Sequence, residues 1–289
     1  MNTLNIELIA DYNCGNSEGP LWHAAHKRLY WTDIETGRMF WYDPAANKHE
    51  QCYDGDKVGG FTVQADGKLL LFRTKGNVVT FDNGKVVDTI IESIPEAHTG
   101  RFNDVIADPL GNVFAGTMVD QTNGKLYHFN KDASFKTILE NQGCPNGMAF
   151  SKDLKIFYYT HSPEFTIWQF DRDVTSGDVT NKRPLVVADK ADGFPDGMTI
   201  DSDDHFWSAR WAGSCVIRLS PDVKETLRIE LPCKNVSSVT FGGENYDQLY
   251  LTTAGAEDRA KNGETAGAIY RVTGHGFSGR PEYVSKIGL

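Results

Sequence analysis

The sequence predicts an all-β protein, a single six-bladed β-propeller over residues 1–289, from a sixfold internal repeat, strand-length alternation inside each copy, and turn residues where hairpins need them. In every copy a short polar or small segment leads into an alternating strand. A Gly or Asp turn, an aromatic-rich strand and a third strand follow. With Glu18, Gly60, Asn103, Asn146, Asp196 and Ser238 as equivalent points, the copies are spaced by 42, 43, 43, 50 and 42 residues. That period, carried by strands, points to propeller blades of about four strands each.

The first copy opens at Ser17-Glu18-Gly19-Pro20-Leu21-Trp22, with its second strand at Leu29-Tyr30-Trp31. The second runs from Gly59-Gly60-Phe61-Thr62-Val63 to Leu69-Leu70-Leu71, and the third from Phe102-Asn103-Asp104-Val105-Ile106 to Val113-Phe114-Ala115. The fourth starts at Pro145-Asn146-Gly147-Met148 with Ile156-Phe157-Tyr158, and the fifth at Pro195-Asp196-Gly197-Met198 with Phe206-Trp207. The sixth starts at Ser237-Ser238-Val239 with Leu249-Tyr250-Leu251. Gly37, Gly67, Gly111 and Asp203-Asp204 fall between paired runs, as hairpins require. Helical periodicity is almost absent. Only two clear strands, at 249–252 and 268–272, follow the sixth start, so the leading strand at 5–9 is expected to complete the last blade and leave no open edge.

There are 29 Lys+Arg against 39 Asp+Glu, a net charge of −10, and no basic block interrupts it. Nucleic acid and anionic membrane are thereby excluded as partners. No apolar run approaches the roughly 20 residues of a membrane helix. The first residues carry no basic stretch followed by an apolar one, and the five cysteines are odd in number with no Cys-x-x-Cys pair. Reduced thiols in a cytoplasmic protein are the expectation. No obligate protein partner is implied.

Innermost propeller strands line the central channel, so the six equivalent points should face one another as Glu, Gly, Asn, Asn, Asp and Ser. Two carboxylates and two amides converging there repel unless a cation offsets them. An all-oxygen set suits one divalent ion of the Ca²⁺, Mg²⁺ or Mn²⁺ type, and Zn²⁺ also fits. The alternative is a solvated polar channel without an ion.

Several stretches then become recognisable: Ser17-Glu18-Gly19-Pro20-Leu21-Trp22, Arg101-Phe102-Asn103-Asp104 with Ala115-Gly116-Thr117-Met118, Pro145-Asn146-Gly147-Met148, Pro195-Asp196-Gly197-Met198-Thr199-Ile200-Asp201 and Phe241-Gly242-Gly243-Glu244. Together they resemble the regucalcin, gluconolactonase and luciferin-regenerating enzyme family, in register with all six copies. The resemblance implies a metal-dependent lactonase acting on a sugar lactone, with Glu18, Asn146 and Asp196 as metal ligands. It further implies Arg101 and Asn103 at the substrate, and Asp196 as general base.

Lactone hydrolysis must stabilise an oxyanion as water adds to the ring ester, and a metal with open positions polarises the carbonyl and acidifies a water. Arg101 offers a fixed fork of donors for hydroxyls or the nascent carboxylate. Asn103 is expected to donate to the lactone oxygen or hold a water. Two departures bear on the substrate side. Gln121 stands where vertebrate regucalcins carry Glu, and Thr160-His161-Ser162 replaces the family's Asp-Ser or Asp-Thr. Arg73, His98 and Trp211 are further loop residues that could reach the substrate.

Three motifs are set aside. Gly15-Asn16-Ser17-Glu18-Gly19 spells a nucleophile elbow, but Pro20-Leu21-Trp22 leads into a strand rather than a helix. Asp201-Ser202-Asp203-Asp204 opens like an EF-hand loop, yet Phe206 occupies the glycine position, so it is a hairpin turn. His23 and His26 are expected to be solvated on a hairpin. Two competing functions remain on the same residues: an organophosphate-hydrolysing phosphotriesterase-like enzyme, and a non-catalytic calcium-binding propeller.

Overall fold

The computed structural model describes residues 3–289 and consists of six four-stranded antiparallel sheets, making the fold a six-bladed all-β propeller. Each predicted copy is one blade, with the equivalent point on its innermost strand. The chain divides into two compact units. One comprises the stretch to Asp54 with Ala188–Pro281; the other comprises Gly55–Val187 with Glu282–Leu289.

The first unit holds three blades. Ser17–His23, Arg28–Asp33, Arg38–Asp43 and Lys48–Asp54 form the first. Phe194–Ile200, Phe206–Trp211, Cys215–Leu219 and Glu225–Glu230 form the fifth. The sixth has Asn235–Gly242, Gln248–Ala254 and Ala268–Thr273, completed by the amino-terminal strand Asn5–Asp11 as predicted. The core of this unit is aromatic and aliphatic, with Trp31, Phe40, Tyr42, Trp207 and Tyr250 fully enclosed. Dense apolar burial of this kind is the main favourable term holding the blades, at about 25 cal/mol per Å² removed from water.

The second unit holds the other three. These are Val58–Val63 to Lys85–Ile91, Arg101–Ala107 to Phe135–Gln142, and Pro145–Phe150 to Val179–Val187. Phe114 stacks on Phe157 with ring centroids 4.3 Å apart, joining the third and fourth blades. The carboxy-terminal segment is sewn in by Ser285, whose hydroxyl bonds Gln64 at 2.7 Å.

The ladders follow one rule in every blade. The pairing between second and third strands is regular, whereas the pairing of the innermost strand with the second shifts register. The shifts lie between Glu18 and Leu21, Val58 and Gly60, Phe102 and Val105, Asn146 and Met148, Pro195 and Met198, and Val236 and Ser238. A bulge re-aims the side chain it carries, so each blade bends its inner strand at or beside its equivalent point.

The predicted turns are present. Gly67 (φ +87°) and Gly111 (φ +93°) close their hairpins in the left-handed region that favours glycine. Asp201 makes the predicted hairpin turn, its Oδ1 accepting from the backbone N–H of Asp203 and His205. One expectation is corrected: His23 is not solvated. It is buried and stacked on His26 with centroids 3.7 Å apart, and its Nδ1 accepts from the His26 N–H, because the turn folds one ring over the other. Among the described residues no helix is long and apolar enough to cross a membrane, and none of the five cysteines is in a disulfide.

Candidate functional site

In the first unit, Glu18 and Asp196 lie on the bulged starts of their inner strands and are 4% and 6% exposed. Glu18 Oε2 accepts from the N–H of Gly19 at 3.0 Å, inside the bulge that turns the carboxylate. Two serines of the sixth blade lie against these strands. Ser237 Oγ donates to the carbonyl of Ser17, next to Glu18, at 2.6 Å. A Cβ added to Gly197, next to Asp196, would fall 2.5 Å from Ser238 Cβ and 2.0 Å from its Oγ. Gly197 is therefore glycine because the neighbouring strand occupies its side-chain space.

The second unit brings Arg101, Asn103 and Asn146 together. Arg101 Nη1 donates to Asn103 Oδ1 at 2.6 Å and to the Phe102 carbonyl at 2.9 Å. Asn103 Nδ2 donates to Asn146 Oδ1 and to the Pro145 carbonyl, each at 2.6 Å. Asn146 Nδ2 in turn donates to Ser162 Oγ at 2.7 Å and contacts Cys144 Sγ at 3.4 Å. Guanidinium cannot accept and a carbonyl cannot donate, so Arg101 and Pro145 fix which end of Asn103 is oxygen. The orientation of Asn146 follows.

This inventory narrows what each group can do. Both amide hydrogens of Asn103 are engaged within the chain, and its oxygen accepts from Arg101. Asn146 Oδ1 accepts one hydrogen bond and keeps a second lone pair for a cation. Arg101 spends its Nη1 on the chain, and its Nε and Nη2 retain three N–H donors.

Beside this chain Asp104 is a residue that the sequence motif contained but did not single out. Desolvation pushes its carboxyl up to about 7, against the downward pull of Arg101. The contacts of Ser162 and Cys144 with Asn146 were likewise missed, since nothing in residue type or spacing announces a hydrogen-bond partner 16 residues away. Gln121 is exposed on the loop 119–123, with its backbone carbonyl against Gly143. His161 is buried; its Nε2 accepts from Gly143 N–H at 3.1 Å, and its Nδ1 lies 3.0 Å from Glu164 Oε2 as a charge contact. Arg73 is held by Asn77 Oδ1 at 2.6 Å and lies 3.4 Å from Asp56, while His98 is exposed.

Among the described residues no group of three or more His, Cys, Asp and Glu gathers. Of the oxygen donors expected at a metal, the carboxylates of Glu18 and Asp196 belong to the first unit and the amide of Asn146 to the second. These donors are all oxygen and buried, a chemistry that fits a hard divalent cation.

A family model described as "SMP-30/Gluconolactonase/LRE-like region" matches residues 16–255. The chain is 39% identical to pentonolactonase XacC of Haloferax volcanii, over 99% of this chain and 100% of that one. It is 31% identical to regucalcin of Bos taurus, over 98% and 99%. The solved structure of a luciferin-regenerating enzyme superposes with a TM-score of 0.89 at 30% identity, covering 99% of this chain and 100% of that one.

Proposed function

The chain belongs to the SMP-30/gluconolactonase/LRE-like family, and on that premise we propose that it is a lactonase, hydrolysing a sugar lactone to the aldonic acid with the help of one divalent metal ion. The observation that carries the reading is the directional chain from Arg101 through Asn103 to Asn146, built from the residues the family resemblance places at substrate and metal. The full-length likeness to a pentonolactonase makes five-carbon aldonolactones the first substrates to try, with gluconolactone beside them.

Glu18, Asn146 and Asp196 would hold the metal, whether Ca²⁺, Mg²⁺, Mn²⁺ or Zn²⁺. When bound, such an ion supplies Lewis acidity toward the lactone carbonyl. Asp196 accepts a proton from the attacking water as general base, since its carboxylate is buried and carried on a strand packed closely against Ser238 of the sixth blade. The three remaining N–H donors of Arg101 bind sugar hydroxyls and then the carboxylate released, a geometry a guanidinium matches with two parallel bonds. Asn103 Oδ1 orders Arg101 rather than touching the ester. Gln121, on its exposed loop, offers an uncharged amide to the sugar where a carboxylate would select differently.

The test is a pH-stat assay of the purified, metal-loaded protein on a panel of pentono- and hexonolactones, with an organophosphate as the competing substrate. Acid release from at least one lactone is expected. Asp196→Asn should lower kcat by about 10²–10⁴-fold. Unchanged lactone turnover in Asp196→Asn with metal still bound would remove the general-base assignment, and turnover of the organophosphate alone would replace the reaction.

A further inference from the structure

An asparagine that ligates a cation must present its oxygen, yet the oxygen and nitrogen ends of an amide have nearly the same shape. Its neighbours must therefore decide both which end faces the ion and at what angle. At Asn146 the first decision belongs to Asn103, whose N–H occupies one lone pair of Asn146 Oδ1 at 2.6 Å. The second edge of the amide is held by Ser162, whose Oγ accepts from Asn146 Nδ2 at 2.7 Å in a buried setting.

Ser162 is itself held on both sides. It opens a single 3₁₀ turn, Ser162–Glu164, with Pro163 restricting the backbone, and its N–H donates to the Cys144 carbonyl at 3.3 Å. The preceding His161 accepts from the Gly143 N–H, so in its neutral form the ring proton sits on Nδ1, facing Glu164. Trp168 Nε1 donates to the same Glu164 oxygen at 3.0 Å. The turn is thus tied to residues 143 and 144, immediately before Asn146 on the neighbouring strand.

We propose that Ser162 is a positioning residue for Asn146: its hydroxyl holds the amide plane so that Oδ1 faces a bound divalent ion, with His161 and Glu164 bracing the turn that presents it. The inference rests on the assignment of Asn146 as a metal ligand. Groups that orient a ligand from behind typically contribute 10–100-fold in metal affinity.

The experiment measures Mn²⁺ affinity of the full chain by calorimetry, separately from turnover, in wild type, Ser162→Ala, Ser162→Thr, Asn146→Ala and the Asn146→Ala/Ser162→Ala double variant. Ser162→Ala is expected to weaken Mn²⁺ binding by roughly 10-fold or more, Ser162→Thr to stay within about threefold by keeping the hydroxyl, and the serine change to add nothing once Asn146 is alanine. Equal loss in both backgrounds, unchanged affinity in Ser162→Ala, or no Mn²⁺ binding by wild type overturns the proposal. If Ser162→Ala does not fold, Glu164→Gln serves instead, and an affinity equal to wild type there removes the bracing role. Absence of lactone turnover with the affinity pattern intact would overturn the lactonase assignment and leave this one standing.

Discussion

Asn103 Nδ2 and Asn146 Oδ1 stand 2.6 Å apart on the inner strands of adjacent blades, and their polarity is dictated by Arg101, 2.6 Å from the other end of Asn103. Replacing Asn103 by Asp would set a carboxylate oxygen against the Asn146 oxygen and the Pro145 carbonyl, three acceptors without a hydrogen. Asn103→Asp should therefore lose about 1–3 kcal/mol of stability, read as a lower denaturant midpoint. Asn103→Ala, which removes both ends, should cost less at the Asn146 contact; the reverse order would refute the polarity assigned.

Gly197 abuts Ser238. Because an added Cβ would sit 2.0 Å from Ser238 Oγ, Gly197→Ala should destabilise by about 1–3 kcal/mol and displace neighbouring Asp196. Ser238→Gly in the same chain should restore part of both stability and turnover. A double variant no better than Gly197→Ala would show that the clash lies elsewhere.

Metal should stabilise the fold as well as serve the reaction. The buried carboxylates of Glu18 and Asp196 gain a counter-charge when a divalent ion binds, and ligand at about 100 times its Kd adds roughly 2.7 kcal/mol. Chelation should lower the melting temperature reversibly, and Glu18→Gln should abolish most of that difference. A chelator-independent melting temperature would count against the ligand set.

Asp108 offers a pH test away from the site. Burial alone would raise its carboxyl, but the His128 contact, the backbone and side chain of Asn112 and the N–H of Leu110 outweigh it and hold the group near 2. A carboxyl lowered in the folded state contributes stability that is complete above its unfolded value near 4 and disappears as pH falls toward 2. The shift corresponds to about 2 kcal/mol. Asp108→Asn should be less stable than wild type at pH 6, and the gap should narrow between pH 4 and 2. A gap independent of pH would mean that packing, not ionisation, explains the loss.

The strand placement of the candidate residues was legible by position. Glu18, Asn103, Asn146 and Asp196 fall at one phase of the repeat, and each does sit at a bulged inner-strand start. Their local environments were not. His23 looked solvated by spacing and is buried under a stacked ring; the amide hydrogens of Asn103 go to Pro145 and Asn146. Side-chain type and interval do not record which neighbour consumes a hydrogen bond, because those neighbours come from other strands.

By itself the sequence determined the blade count, the strand and turn phase within each blade, and the joining of the amino-terminal strand to the sixth, since these depend on short-range alternation and a repeat near 43 residues. Tertiary structure alone decided the direction of the amide chain and the hydrogen bond from Asn146 to Ser162, and it placed the register shift at every inner strand. A period of two assigns a residue to a face, but one extra residue in a bulge re-aims it, and whether a strand bulges is settled by the strand packed beside it.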